Sequence, residues 1–183
     1  KLKDEKESAF VLTVKKILGS FLYSMNNVLL EEEVAKILIE KKMTIAIAES
    51  CTGGGISKRL TDVAGSSKYY LGGLIAYSNK IKNKELGISF SMIKENGSVS
   101  KEVCSLMSRS IKEKFKSDIG VSCTGISGPS GGTREKPIGL VYIGVTIGKD
   151  TKVEKYQLID DRLIHREVTS QLALNLVRLV LSK

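Results

Sequence analysis

Apolar residues recur along the chain in two ways, at helical spacing and in short unbroken runs, and the two alternate. Val34, Ile37, Leu38 and Lys41 fall at i, i+3, i+4 and i+7. They follow Glu31–Glu33, whose charge suits a helix N-terminus, so a helix is expected from Leu30. Met43–Ala48 comes next as a continuous apolar run, the pattern of a strand buried on both faces. Polar and glycine residues from Glu49 to Gly55 break it, and Ile56–Val63 reads as a helix. Leu74–Tyr77 is a second short strand, with Tyr69 as its earliest start. Asn79–Leu86 is a helix stopped by Gly87.

Ser100 caps the next predicted helix, where Val103, Met107, Ile111 and Phe115 recur every four residues. Asp118–Cys123 is a third strand. Thr124–Pro137 is a long loop dense in Gly, Ser and Thr. Ile138–Ile147 and Thr151–Ile159 form a hairpin across Gly148-Lys149-Asp150. The last helix runs from about Asp161 to Leu181, with Val168, Leu172, Leu176 and Leu179 on one face. The order α-β-α-β-α-α-β-β-β-α predicts an α/β fold with a mostly parallel sheet and helices on both faces. Ligands in such sheets bind beyond the carboxyl ends of the strands, here just after Ala48, Tyr77 and Cys123.

The domain is expected over residues 30–183. Residues 1–29 are read as an N-terminal arm or inter-domain linker, with Lys1–Ser8 disordered. The first residue is not Met, so a longer protein is expected. Length agrees with one domain, since 183 residues lie within the roughly 100–200 typical of one. The chain is 42% hydrophobic and 27% charged, which excludes collagen-like and wholly disordered classes. No apolar run reaches the roughly 20 residues of a membrane span, and a cytoplasmic location is expected. Cys51, Cys104 and Cys123 are odd in number, widely spaced and lack a C-x-x-C pair, which argues against a disulfide framework and a zinc site. No metal and no cofactor are expected.

The net charge of +9 would attract phosphate, whether on nucleic acid or on a small metabolite, and equally suits a solvated lysine-rich surface. Aromatics are only 5% and Trp is absent, so a stacking platform for nucleic acid is not expected. His165 is the single His, so Ser-His or Cys-His catalysis would have to use it. It reads as an ordinary surface or boundary residue.

Three segments carry candidate chemistry. Ala48–Gly55 follows a buried strand and opens a helix, with Ser50, Cys51 and Thr52 as candidate nucleophiles before three glycines. A plain N-cap and turn is the alternative. Ala76–Lys82 sits at another strand-to-helix junction. Lys82 is one turn in and could serve as a base if desolvation kept it neutral, or could be solvated. Thr124–Thr133 is a glycine-rich loop whose N–H groups could cradle an anion. Arg162 and Arg166, one helical turn apart, could grip a phosphate or pair with Asp160 and Asp161.

AESCTGG at Ala48–Gly54, AYSN at Ala76–Asn79 with Lys82, GSVS at Gly97–Ser100, TGISGPSGG at Thr124–Gly132 and EKPIG at Glu135–Gly139 occur together in this order. In this the chain resembles the CinA C-terminal domain family, from about Leu30 to the C-terminus. The Ala9–Asn27 arm resembles the stretch joining the two domains of full-length members. The resemblance implies a three-layer α/β/α sandwich with a mixed sheet. It implies hydrolysis of nicotinamide mononucleotide to nicotinic acid mononucleotide and ammonia, with a homodimer as the expected assembly.

By motif, the resemblance implies that Ser50 is the nucleophile and that Tyr77 and Lys82 handle its proton. It implies substrate contacts from Glu49, Thr52, Gly53, Gly54, Asn79, Thr124, Gly125, Gly128, Arg162 and Arg166. Asp160 stands where the family usually has Gly, and Ser127 and Ser130 where it has small residues. With a single His, a Ser–Lys hydrolase fits better than a Ser–His one. Backbone N–H groups of Gly53–Gly55 or of Thr124–Gly125 would support the oxyanion. A silent nucleotide-binding or competence-related interaction domain is the alternative reading, and a nucleic-acid module a third.

Overall fold

The computed structural model describes residues 9–19 and 22–182, so the expectation for Lys1–Ser8 lies outside the described residues. Element order is α1 (Ala9–Leu18), α2 (Leu30–Glu40), β1 (Ile45–Glu49), α3 (Gly55–Asp62), β2 (Tyr70–Ile75), α4 (Asn79–Leu86), α5 (Phe90–Asn96), α6 (Lys101–Phe115), β3 (Ile119–Gly125), β4 (Leu140–Ile147), β5 (Asp150–Gln157) and α7 (Arg162–Leu181). The strands form one sheet in the order β2-β1-β3-β4-β5. β1 is parallel to both β2 and β3, and β4 is antiparallel to β3 and β5. Four strands therefore run one way, with β4 opposed.

Side-chain size decides how the layers pack. Ile45 and Ile47 of β1 and Ile119 and Val121 of β3 face one way, into a core shared with α2, α3 and α7. Ala46 and Ala48 face the other way, with Val103, Met107 and Ile111 of α6. That second face is lined by small residues, so α6 lies close upon it. At Gly120 an added Cβ would stand 2.0 Å from the Ser108 carbonyl oxygen. Arg59 of α3 ties the first layer together, donating to Glu31 of α2 at 2.6 Å and Gln171 of α7 at 2.6 Å. The result is an α/β/α sandwich with a mixed, mostly parallel sheet.

Three features depart from the sequence pattern. α5 was not expected; Ser89 caps it by accepting from the Met92 N–H at 3.2 Å, and Gly97 ends it. The arm contains a helix, α1, whose Phe10 and Ile17 are exposed. The buried face of α7 runs through His165, Thr169, Ser170, Ala173, Leu174, Leu176, Val177 and Leu181; of the expected stripe Leu176 lies on it, while Val168, Leu172 and Leu179 are only half-buried. The first turns of α7 cover the polar loops at the sheet edge, so its buried face there is polar, and hydrophobic periodicity misses it. Among the described residues no helix is long and apolar enough to cross a membrane.

Candidate active site

The chain leaves β1 and turns one way through α3 to β2, then returns over the other face through α4–α6 to β3. β1 is thus flanked by strands reached in opposite directions, which opens a crevice at its carboxyl end. Ser50 is the first residue beyond β1. Ala76 and Tyr77 follow β2, and Thr124 and Gly125 end β3. A cavity of about 150 Å³ lies there, lined by Ser50, Cys51, Tyr77, Lys82, Ser98, Val99, Thr124, Gly125, Ser127 and Arg162.

Ser78 caps α4 by accepting from the Ile81 N–H at 3.2 Å, which sets the helix so that Lys82 turns back into the crevice. Lys82 is 2% exposed, not solvated. Its Nζ stands 3.2 Å from Ser50 Oγ and donates to the carbonyls of Ala76 at 2.9 Å and Tyr77 at 3.4 Å. Burial pulls its pKa below the ordinary 10.5. A neutral amine has two N–H bonds and one lone pair. In that form, with the two carbonyls taking the N–H bonds, the lone pair would face Ser50 Oγ.

Glu49 organises the loop that carries Ser50. Its carboxylate accepts from Thr52 Oγ1 at 2.5 Å, the Gly54 N–H at 2.9 Å, the Ile56 N–H at 3.2 Å, and the N–H and hydroxyl of Ser57 at 2.9 and 2.6 Å. It is 1% exposed and turned into the loop, away from the cavity. Gly53 and Gly54 have φ of +60° and +102°, which the turn into α3 requires. Their N–H groups, with that of Gly55, are engaged: Gly53 donates to Ser50 O, Gly54 to Glu49 and Gly55 to Thr52 O. The expectation that Gly53–Gly55 would supply an oxyanion hole is therefore corrected. The Ile126 N–H donates to Leu140 of β4, so strand alternation turns the Gly125 N–H towards the β1 side, where Ser50 lies.

The two arginines do not converge. Arg162 lines the cavity, donating to the Gly128 carbonyl at 2.9 Å and to Tyr77 Oη at 3.1 Å. Arg166 donates to the Thr52 carbonyl at 2.8 Å and borders a neighbouring, more open cavity of about 510 Å³ with Leu163 and Ile164. Asp161 pairs with neither; it caps α7, accepting from the Leu163 and Ile164 N–H groups. Tyr77 is 57% exposed at the rim, and its hydroxyl meets Arg162 rather than Lys82. Thr52, 1% exposed, lies under the loop with its hydroxyl also 3.0 Å from Cys123 Sγ. Thr124 donates to the Ser98 carbonyl at 2.8 Å. Asn79 begins α4 on the exposed side.

Sequence reasoning missed two neighbours of the cavity. His165 is 0% exposed, not a surface residue, and its Nδ1 lies 2.9 Å from Ser127 Oγ, which faces the cavity. Ser98 was legible only as part of the GSVS motif. Among the described residues no group of three or more His, Cys, Asp or Glu is arranged to hold a metal ion.

A family model for the CinA C-terminal domain matches residues 27–181. A CinA-like protein of Dictyoglomus turgidum is 45% identical over 181 residues, covering 97% of this chain and 44% of that protein. A CinA-like protein of a Sulfurihydrogenibium species is 46% identical over 168 residues, covering 92% and 42%. The chain thus spans less than half the length of these curated relatives. Among solved structures, the competence/damage inducible protein CihA of Agrobacterium tumefaciens superposes with a TM-score of 0.79 at 30% identity, covering 87% of this chain and 99% of that one. A CinA superfamily protein of Klebsiella pneumoniae shares the fold with a TM-score of 0.81 at 24% identity, covering 84% and 96%.

Proposed function

The chain belongs to the CinA C-terminal domain family, and from that premise we propose that it is an amidohydrolase converting nicotinamide mononucleotide to nicotinic acid mononucleotide and ammonia. The observation that carries this reading is the 3.2 Å approach of a buried lysine amine to the Ser50 hydroxyl at the crevice of the sheet. Ser50 attacks the carboxamide carbon while Lys82 takes its proton. The same proton passes to the departing nitrogen, ammonia leaves, and an ester to Ser50 remains. Water, deprotonated by Lys82, cleaves that ester to the acid and restores Ser50. The Gly125 N–H is the donor we assign to the oxyanion.

The cavity is small for a whole nucleotide, about 150 Å³ against the roughly 300–1,000 Å³ usual for ligand pockets. It suits the carboxamide ring, with ribose and phosphate extending past Tyr77. Arg162 uses two N–H groups on Gly128 and Tyr77 and keeps others for an anion.

The test is ammonia release from nicotinamide mononucleotide and from free nicotinamide, side by side. Wild type should act on the nucleotide, and Ser50→Ala should lose at least about a thousandfold in rate. Undiminished release by Ser50→Ala would refute the nucleophile. Thermal stabilisation by the nucleotide without ammonia would make the domain a binding module instead.

A further inference from the structure

One hydrogen bond spans the mouth of the Ser50 cavity. Of the residues that line the cavity only Tyr77 and Arg162 are exposed; Ser50, Lys82 and the rest of the wall are buried or half-buried. The two exposed side chains come from elements far apart in the chain, Tyr77 from the end of β2 and Arg162 from the start of α7. Arg162 Nη2 donates to Tyr77 Oη at 3.1 Å, while Nη1 donates to the Gly128 carbonyl at 2.9 Å. A guanidinium only donates, so the phenol oxygen is the acceptor in the bond that bridges the mouth.

Both main chains are fixed where these side chains leave them. Lys82 donates to the Tyr77 carbonyl at 3.4 Å, and Asp161 caps the helix that Arg162 begins. The side-chain tips are the parts left free to move. Among the described residues, Arg162 is the one hydrogen-bond partner of the Tyr77 hydroxyl. A neutral phenol is a weaker partner for a guanidinium than a phosphate dianion, whose bonds are charge-assisted and can be two-pronged. A phosphate that reaches the mouth therefore takes Arg162 from Tyr77. With the bridge in place, the cavity of about 150 Å³ suits only the ring end of a nucleotide.

We propose that the Tyr77–Arg162 hydrogen bond is a latch over the Ser50 cavity, which the substrate's own phosphate opens. Resting on the amidase reading above, the latch narrows the substrates to amides that carry a phosphate monoester remote from the carbonyl. Interaction with that remote group drives the opening, and a molecule without it meets a mouth that stays bridged. A latch differs from a plain anchor in one respect. An anchor helps only a molecule to which the phosphate is attached, whereas a latch also responds to a separate phosphate-like dianion.

The experiment offers nicotinamide riboside, which lacks the phosphate, to the wild type with and without phosphite dianion at constant ionic strength. Phosphite should raise kcat/KM for the riboside by at least about tenfold, the size of one charge-assisted hydrogen bond. It should also compete with nicotinamide mononucleotide. In Ser50→Ala, calorimetry should show phosphite and riboside each tightening the other by the same factor. Tyr77→Phe, added to Ser50→Ala, keeps the ring and removes the acceptor. Phosphite should bind that protein more tightly and no longer tighten the riboside. Wild type that hydrolyses the nucleotide, while phosphite changes neither the turnover nor the affinity of the riboside, overturns the latch and leaves the amidase reading standing. Coupling that persists undiminished in Tyr77→Phe also overturns the latch, since phosphite then acts without the hydroxyl. Wild type that neither binds nor hydrolyses the nucleotide overturns the latch together with the amidase reading.

Discussion

A lysine amine buried without a carboxylate partner is costly in its charged form, and Lys82 bears that cost beside Ser50. Its folded-state pKa lies below the ordinary 10.5. The folded protein therefore binds fewer protons here than the unfolded chain, over the window between the lowered value and 10.5. Stability gained from this residue is lost as pH falls through the folded value and returns as pH rises towards 10.5. Thermal midpoints of wild type and Lys82→Met, taken across that window, should show wild type gaining on the variant as pH rises. The rate should follow the same titration, with kcat/KM climbing and levelling off below the usual lysine range. Glu49 makes a separate prediction. Glu49→Gln puts an NH₂ group against N–H and O–H donors, leaving some unsatisfied, and should cost about 1–3 kcal/mol in a denaturant titration. Ser50 and Lys82 were legible because each follows a strand end with its motif intact. The burial of His165 was not, because loop and β4 residues from far along the chain enclose it, and helical periodicity is blind to them.

At the scale of elements, alternation of apolar runs and helical stripes indicated the parallel order, and the carboxyl ends of β1, β2 and β3 meet at the cavity that Ser50 and Lys82 line. The sequence pattern also marked Ser100, which accepts from the Val103 N–H at 3.2 Å as the cap of α6. It missed α5, whose seven residues are too few to show a period. Alternating residue size along β1 and β3, large to one face and small to the other, determines how near α6 comes. Gly120→Ala would press a methyl group into the α6 backbone. It should destabilise by about 1–3 kcal/mol, read as a lowered denaturant midpoint. Ser50 is displaced only if α6 moves as a unit, so activity measured well below the transition should change less than stability.

The whole molecule carries a formal charge of +9. A phosphorylated substrate is drawn to such a field, and salt weakens the attraction over a Debye length of about 8–10 Å. Under the amidase reading, kcat/KM for nicotinamide mononucleotide should fall as ionic strength rises. Any turnover of uncharged nicotinamide should respond far less. Equal salt sensitivity for both would assign the effect to the protein rather than to encounter. The three layers themselves are insensitive to such charge, since they are held by two separate apolar cores on either side of the sheet.

Among the described residues, and apart from Ser50, the lysine amine is held only by main-chain oxygens, those of Ala76 and Tyr77. Its anchorage is therefore indifferent to which side chains furnish the surrounding walls. Under the amidase reading, exchanging Ser98, Val99 or Tyr77 for side chains of like bulk would change which amide fits while the amine keeps both its place and its burial.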